Sequence, residues 1–280
     1  MTDTTATTTT ATTEFARSAD GTRIAFERSG SGPLLVLVDG AMCSRGFGPA
    51  RAVSAELADR FTVVIYDRRG RGESGDTLPY APEREFDDLR AVIDAARGRN
   101  ADGAFVMGQS SGAGIVYRAA AAGVPMRKLV GYEAPWVGLR PDRHGQPRDY
   151  LGDLTSLVTA GRNGKAIDYF MVKMVRGPFF LPIMMRMMPR VWRQLQSVAP
   201  TLPYDAQVMG AQFAPPLDEL ARVSVPTLVL GGGKSPQQML AAQQTIADTI
   251  PGAQYRTLTG QTHQVSPKAL APVLAEFFAD

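Results

Sequence analysis

Cysteine is nearly absent from this sequence: Cys43 is the only one in 280 residues. A lone thiol excludes any intrachain disulfide, and with it a small secreted fold built on staples. Charge of one sign is also missing. Lys and Arg total 30 against 27 Asp and Glu, a net of +3. The basic residues are scattered and form no stripe interleaved with aromatics, so nucleic acid is not an expected partner. No apolar run approaches the ~20 residues a spanning helix needs, so no membrane is expected either. No metal-ligand cluster, nucleotide-binding fingerprint or internal repeat is present, so no cofactor and no metal are implied. Histidine occurs only twice, at His144 and His263.

What is present is an ordinary globular composition, 44% hydrophobic and 20% charged, on a chain long enough for one large domain or a domain carrying an insertion. Nine of the first thirteen residues are Thr. Residues 1–13 therefore read as a disordered tail that lacks the charged and apolar regions of a signal peptide, and a cytoplasmic location is the expectation. Short segments separated by turn signals follow. Glu14 to Arg17 and Thr22 to Arg28 read as hairpin strands around Asp20-Gly21. Leu34 to Val38, Phe61 to Tyr66, Ala104 to Met107, Lys128 to Tyr132, Thr227 to Leu230 and Tyr255 to Leu258 read as strands, several of them continuous apolar runs buried on both faces. Helical spacing appears over Pro49 to Arg60, Pro82 to Arg97, Gly112 to Ala122, Gln237 to Ile250 and Pro267 to Phe278. Hairpin strands followed by repeated β-α units predict an α/β fold: a mostly parallel, doubly wound sheet with helices on both faces.

One stretch breaks that rhythm. More than ninety largely helical residues separate Tyr132 from Thr227, and seven of the twelve methionines fall between Met171 and Met209. Pro178, Pro182 and Pro189 divide the stretch into short helices. It reads either as packing filler for a helical subdomain or as a lid whose polarisable thioethers line an apolar pocket.

The sharpest chemical signal is Gly108-Gln109-Ser110-Ser111-Gly112, a G-x-S-x-G pattern. It follows the apolar Phe105-Val106-Met107 and runs into an Ala-rich helix, the strand-turn-helix setting that lifts a serine hydroxyl above a sheet edge. A serine nucleophile needs a base. His263 lies just past the last strand, whereas His144 sits in a polar stretch that reads as solvated loop. His263 is thus the candidate base.

With these motifs in order, the chain after residue 14 resembles the α/β-hydrolase superfamily. Asp67-Arg68-Arg69-Gly70-Arg71-Gly72-Glu73-Ser74 is similar to the superfamily's D-x-R-G-x-G-x-S segment, Gly108 to Gly112 to its nucleophile elbow, and His263 to its histidine. The resemblance implies a core over 14–135 and 219–280 and a helical cap over 136–218. Two places depart from the pattern. After Thr227 to Leu230, where many members carry an Asp, the chain reads Gly231-Gly232-Gly233-Lys234-Ser235-Pro236 with no carboxylate. Some haloalkane dehalogenases of the superfamily place a Glu after the preceding strand, and Glu133 stands there; its other reading is a salt bridge to a cap arginine. The second departure is Leu37-Val38-Asp39-Gly40-Ala41-Met42, where relatives commonly read His-Gly. The resemblance assigns the oxyanion hole to the backbone N–H groups of Ala41 and Ser111. Asp39 is expected to point away and bind loop backbone, or else to contact substrate or His263. Cys43 reads as a buried, inert thiol.

The resulting expectation is a serine hydrolase cleaving a carboxylic ester or lactone with apolar portions through an acyl-enzyme on Ser110, with His263 and Glu133 completing the triad. Carbon–carbon hydrolysis, perhydrolysis and acyl transfer share that triad, and a non-catalytic small-molecule binder is the reading from another class. A dehalogenase or epoxide hydrolase of this fold is set aside because it needs an Asp nucleophile. The expected partner is a small-molecule substrate, and the sequence is compatible with a homodimer.

Overall fold

Apolar, β-branched runs become strands because both faces of a pleated ribbon can then be buried. The computed structural model describes residues 12–97, 103–139, 141 and 144–279. Residues 1–11 of the expected Thr-rich tail lie outside these, while the Thr13 hydroxyl is tied to Glu73 and Arg45. The strands are β1 (Glu14–Arg17), β2 (Arg23–Ser29), β3 (Leu34–Val38), β4 (Thr62–Tyr66), β5 (Phe105–Gln109), β6 (Lys128–Tyr132), β7 (Thr227–Gly232) and β8 (Gln254–Leu258). They form one sheet in the order β1-β2-β4-β3-β5-β6-β7-β8. The two pairings of β2 are antiparallel, and every pairing from β4 across to β8 is parallel.

Helices α1 (Ala50–Leu57), α2 (Pro82–Arg97), α3 (Ser111–Ala121), α10 (Gln237–Thr249) and α11 (Pro267–Ala279) connect or follow the strands. Alternation within each buried strand splits the core in two. Leu35 and Leu37 of β3 face a layer containing Leu57 of α1 and Leu274 of α11, whereas Val36 and Val38 face Leu89 of α2 and Ile115 of α3. This is the α/β-hydrolase fold that the sequence predicts, with helices on both faces.

Between β6 and β7 lie α4 (Tyr150–Thr159), α5 (Asn163–Asp168), a π-helical turn (Tyr169–Met174), α6 (Leu181–Arg186), α7 (Pro189–Val198), α8 (Leu202–Met209) and α9 (Leu217–Leu220). Prolines at the first turns of α6, α7 and α8 explain why this is a series of short pieces. Their buried side chains, Leu154, Ile167, Leu195 and Leu202 among them, are continuous with the α2/α3 layer. The expected boundary at 218/219 falls inside α9, which Arg118 of α3 grips through Glu219 at 2.8 Å.

Candidate active site

The parallel strands end along one edge of the sheet, and three side chains converge there. Ser110 links β5 to α3 with φ 57° and ψ −127°, a strained conformation for a residue bearing a Cβ. The surroundings fix it: its N–H donates to the Tyr132 carbonyl at 2.9 Å, and its carbonyl accepts from Ala113 N–H at 2.9 Å. The flanking glycines are a steric requirement. A Cβ on Gly108 would sit 2.4 Å from the Gly112 carbonyl oxygen, and one on Gly112 would sit 2.2 Å from that of Val38.

His263 follows β8, and Glu133 directly follows β6, the neighbour of β5. The Ser110 hydroxyl lies 3.1 Å from His263 Nε2, and His263 Nδ1 lies 2.8 Å from Glu133 Oε2. A carboxylate only accepts, so Nδ1 carries the proton and Nε2 faces the serine as acceptor. Tyr132 holds the histidine loop by donating to the Thr262 carbonyl at 2.5 Å, and Gln109 donates to the His263 carbonyl at 3.3 Å. Glu133 is fully buried and itself has a positive φ of 49°. Burial works against its charge, but the hydrogen bonds from His263 and from Gly232 N–H (2.7 Å) outweigh it and hold the carboxyl below its ordinary range. The end of β7, which lacks a carboxylate, thus supplies a backbone donor to the one that follows β6. Glu133 reaches the histidine, and among the described residues it forms no pair with a cap arginine. His144 is exposed in the loop before α4.

The loop after β3 runs against Ser110: a Cβ on Gly40 would lie 2.8 Å from Ser110 Cβ. Ala41 and Ser111 line the same cavity as Ser110 and His263. Ser111 opens α3, so its N–H is one of the helix's N-terminal amides without an intrahelical acceptor. Asp39 turns toward the Ala50 N–H at the start of α1; burial, opposed by that contact, pushes its carboxyl up to about 7. His263 is therefore left to Glu133. The Cys43 thiol is pushed up to about 12 by burial and by the neighbouring Asp39, which keeps it protonated.

Sequence reading missed the charged layer beneath this loop. Asp205, on α8, is buried and accepts from the Ser111 hydroxyl (2.7 Å), Arg68 (2.7 Å) and Arg71 (2.8 Å). Arg68 also grips Glu85 through two hydrogen bonds, and Arg71 donates to Thr201 at 2.9 Å and to the Gly40 carbonyl at 2.7 Å. Burial opposes the Asp205 charge, but Arg71, Arg68 and Ser111 hold its carboxyl below the ordinary range. The arginine-rich segment at 68–71 was the visible half of this network. Its acidic half stands in an unremarkable helix more than a hundred residues on, with no local pattern to mark it.

A cavity of about 200 Å³ opens over Ser110. Its walls are mostly apolar, from Val137, Tyr150, Phe170, Met174, Met209, Phe213 and Met239. The Met-rich stretch divides: Met171 is core, whereas Met174 and Met209 line the cavity. Met184, Met187 and Met188 do neither and are exposed. Among the described residues no group of three or more His, Cys, Asp or Glu side chains could hold a metal ion.

Residues 34–273 match the model of the alpha/beta hydrolase family. The structure is similar to an alpha/beta hydrolase from Sphaerobacter thermophilus, with 49% identity, a TM-score of 0.84, and coverage of 95% of this chain and 100% of that one. It shares its fold with a thermophilic esterase from Thermogutta terrifontis (22% identity, TM-score 0.68, 96% and 98% covered). The same holds for an enol-lactonase from Burkholderia xenovorans (19% identity, TM-score 0.69, 95% and 100% covered). The chain belongs to the alpha/beta hydrolase family and is a hydrolase enzyme.

Proposed function

We propose that this enzyme hydrolyses a carboxylic ester or lactone with apolar portions through an acyl-enzyme on Ser110. The observation that carries the reading is the continuous hydrogen-bonded path from Ser110 Oγ through both nitrogens of His263 to Glu133, at 3.1 and 2.8 Å, opening on an apolar cavity. Ser110 Oγ attacks the carbonyl carbon while Nε2 takes its proton, and Glu133 stabilises the imidazolium that forms. The oxyanion goes to the N–H groups of Ala41 and Ser111. The proton returns to the leaving alkoxide, and water, deprotonated by the same histidine, releases the acid.

Asp205 acts in this scheme as a positioning residue. The Gly40 carbonyl and the Ala41 N–H are opposite ends of one planar peptide, so Arg71, which donates to that carbonyl, sets the direction in which the Ala41 N–H points. Asp205 anchors Arg71 and the Ser111 side chain together. One carboxylate therefore braces both donors of the oxyanion hole.

The test is reaction with a fluorophosphonate probe, followed by p-nitrophenyl esters of increasing acyl length. The expected result is labelling of the wild type, none of Ser110→Ala, and a preference for short to medium acyl chains. A wild type that neither labels nor turns over any ester would sink the reading.

A further inference from the structure

We propose that the 175–188 face of the cap helices docks on an anionic lipid surface. Val175, Phe179, Phe180, Ile183, Met184, Met187 and Met188 are all exposed, Phe179 and Met187 by more than three-quarters (76% and 78%). Among the described residues outside this segment, only Phe15, Leu78 and Leu217 are large apolar side chains exposed to a similar degree, and they are scattered. An apolar cluster of this kind on a soluble protein marks an interaction surface.

Charge identifies the partner. From Tyr169 to Tyr204 the chain contains no Asp or Glu, yet it carries Lys173, Arg176, Arg186, Arg190 and Arg193, all exposed. Arg186 pairs with Asp168 at 2.7 Å and stacks over Trp192. The other four cations form no ion pair among the described residues. A second copy of this chain is a poor occupant, because a two-fold contact sets a patch against itself and would oppose cation to cation. An acidic protein with an apolar patch of its own would meet both the arginines and the Phe and Met side chains, and failure of the wild type to bind anionic vesicles would favour it. A layer of anionic headgroups over acyl chains satisfies both: rings and thioethers enter the acyl boundary while guanidinium groups meet phosphates. Such docking lies in the interface plane and needs no spanning segment. Val175 also lines the cavity over Ser110, so the docked face is continuous with the cavity wall. The proposal does not depend on the reaction at Ser110.

The experiment is co-sedimentation of the full chain with vesicles of phosphatidylcholine alone and of phosphatidylcholine mixed with phosphatidylglycerol. We expect binding to the mixed vesicles only, weakened by added salt. The double variant Phe179→Asp/Ile183→Asp should lose it with thermal unfolding unchanged. The triple variant Lys173→Gln/Arg176→Gln/Arg190→Gln should lose about a hundredfold in partitioning, from the usual contribution of each cation near such a surface. Equal binding of both aspartate and glutamine variants to mixed vesicles would overturn the proposal. So would failure of the wild type to bind them, or a wild-type dimer in light scattering that the aspartate variant dissociates, which would assign the face to a second copy.

Discussion

Glu133 stands on an unusual strand end for the acid of such a relay, yet its contacts are those the work requires. Gly232 N–H fills one carboxylate oxygen and His263 the other, so the histidine cannot choose the wrong tautomer. Glu133→Gln keeps the shape and removes the charge, and we expect kcat to fall by about 10³-fold or more with little change in KM or in thermal unfolding. Asp205→Asn should act differently: kcat falls roughly 10- to 100-fold and affinity for a trifluoromethyl ketone that forms an oxyanion falls in step, while KM holds. Ser111→Ala, which removes one of the two links, should show a smaller loss with the same signature. A Asp205→Asn loss confined to stability, with unaltered affinity for the ketone in the folded fraction, would reduce Asp205 to a structural anchor. These residues differ in how legible they are. Ser110 announces itself through two glycines and its strand-turn-helix setting, and with two histidines in the chain the choice of base is narrow. Glu133 could be named because no carboxylate stands from Gly231 to Pro236 and because some haloalkane dehalogenases place a Glu after the preceding strand. Asp205 had no such marker, since its partners lie 94 to 137 residues away and only the folded chain brings them together.

Among the elements, β5-turn-α3 carries the tightest packing. Adding a methyl at Gly112 meets the Val38 carbonyl oxygen at 2.2 Å, which is backbone and cannot yield. At Gly114, one half-turn on, the same methyl meets Met209 Cε, the far end of a flexible side chain. Gly112→Ala is therefore expected to lose several kcal/mol or fail to fold. Gly114→Ala should keep its melting temperature, helped by ~0.5–1 kcal/mol of helix propensity, while shifting the acyl-length preference because Met209 lines the cavity. Thermal melts and an ester series read both. Strands were legible because apolar runs with turn signals admit one reading, although β7 runs two residues further than its apolar stretch, to Gly232, where pairing with Leu258 continues it. The stretch between β6 and β7 was less so. Its prolines predicted short helices, but exposed and lining methionines share one composition, and which face each takes is set by neighbours far away in the chain.

For the molecule as a whole, buried carboxyls set opposing demands on pH. Glu133 and Asp205 are held below the ordinary carboxylate range, so they contribute stability above it that is lost as pH falls through their native values. Asp39 does the reverse. Its carboxyl sits at about 7 in the fold against an ordinary 3.8. Between those values the native state keeps a proton that the unfolded chain has released, so stability declines as pH rises through the window and levels off above it. Asp39→Asn should flatten that decline: its melting temperature should exceed that of the wild type at pH 8 and match it near pH 4, measured by calorimetry across the range. A wild-type melting temperature that rises steadily from pH 4 to pH 8, unaltered by the substitution, would show that Asp39 is ionised at little cost. The arrangement around Asp205 limits how this protein can be recombined. The loop after β4 contributes Arg68 and Arg71, and α8 contributes the carboxylate that both share. A chimera that keeps this loop and transplants the overlying helices from a relative would leave Arg71 without a carboxylate in a dry interior, and Arg68 with Glu85 alone, unless the graft carries an acid at the place of Asp205. Exchange of these helices is then constrained by one ionic seam, and compatible donors can be sorted by it before any gene is built.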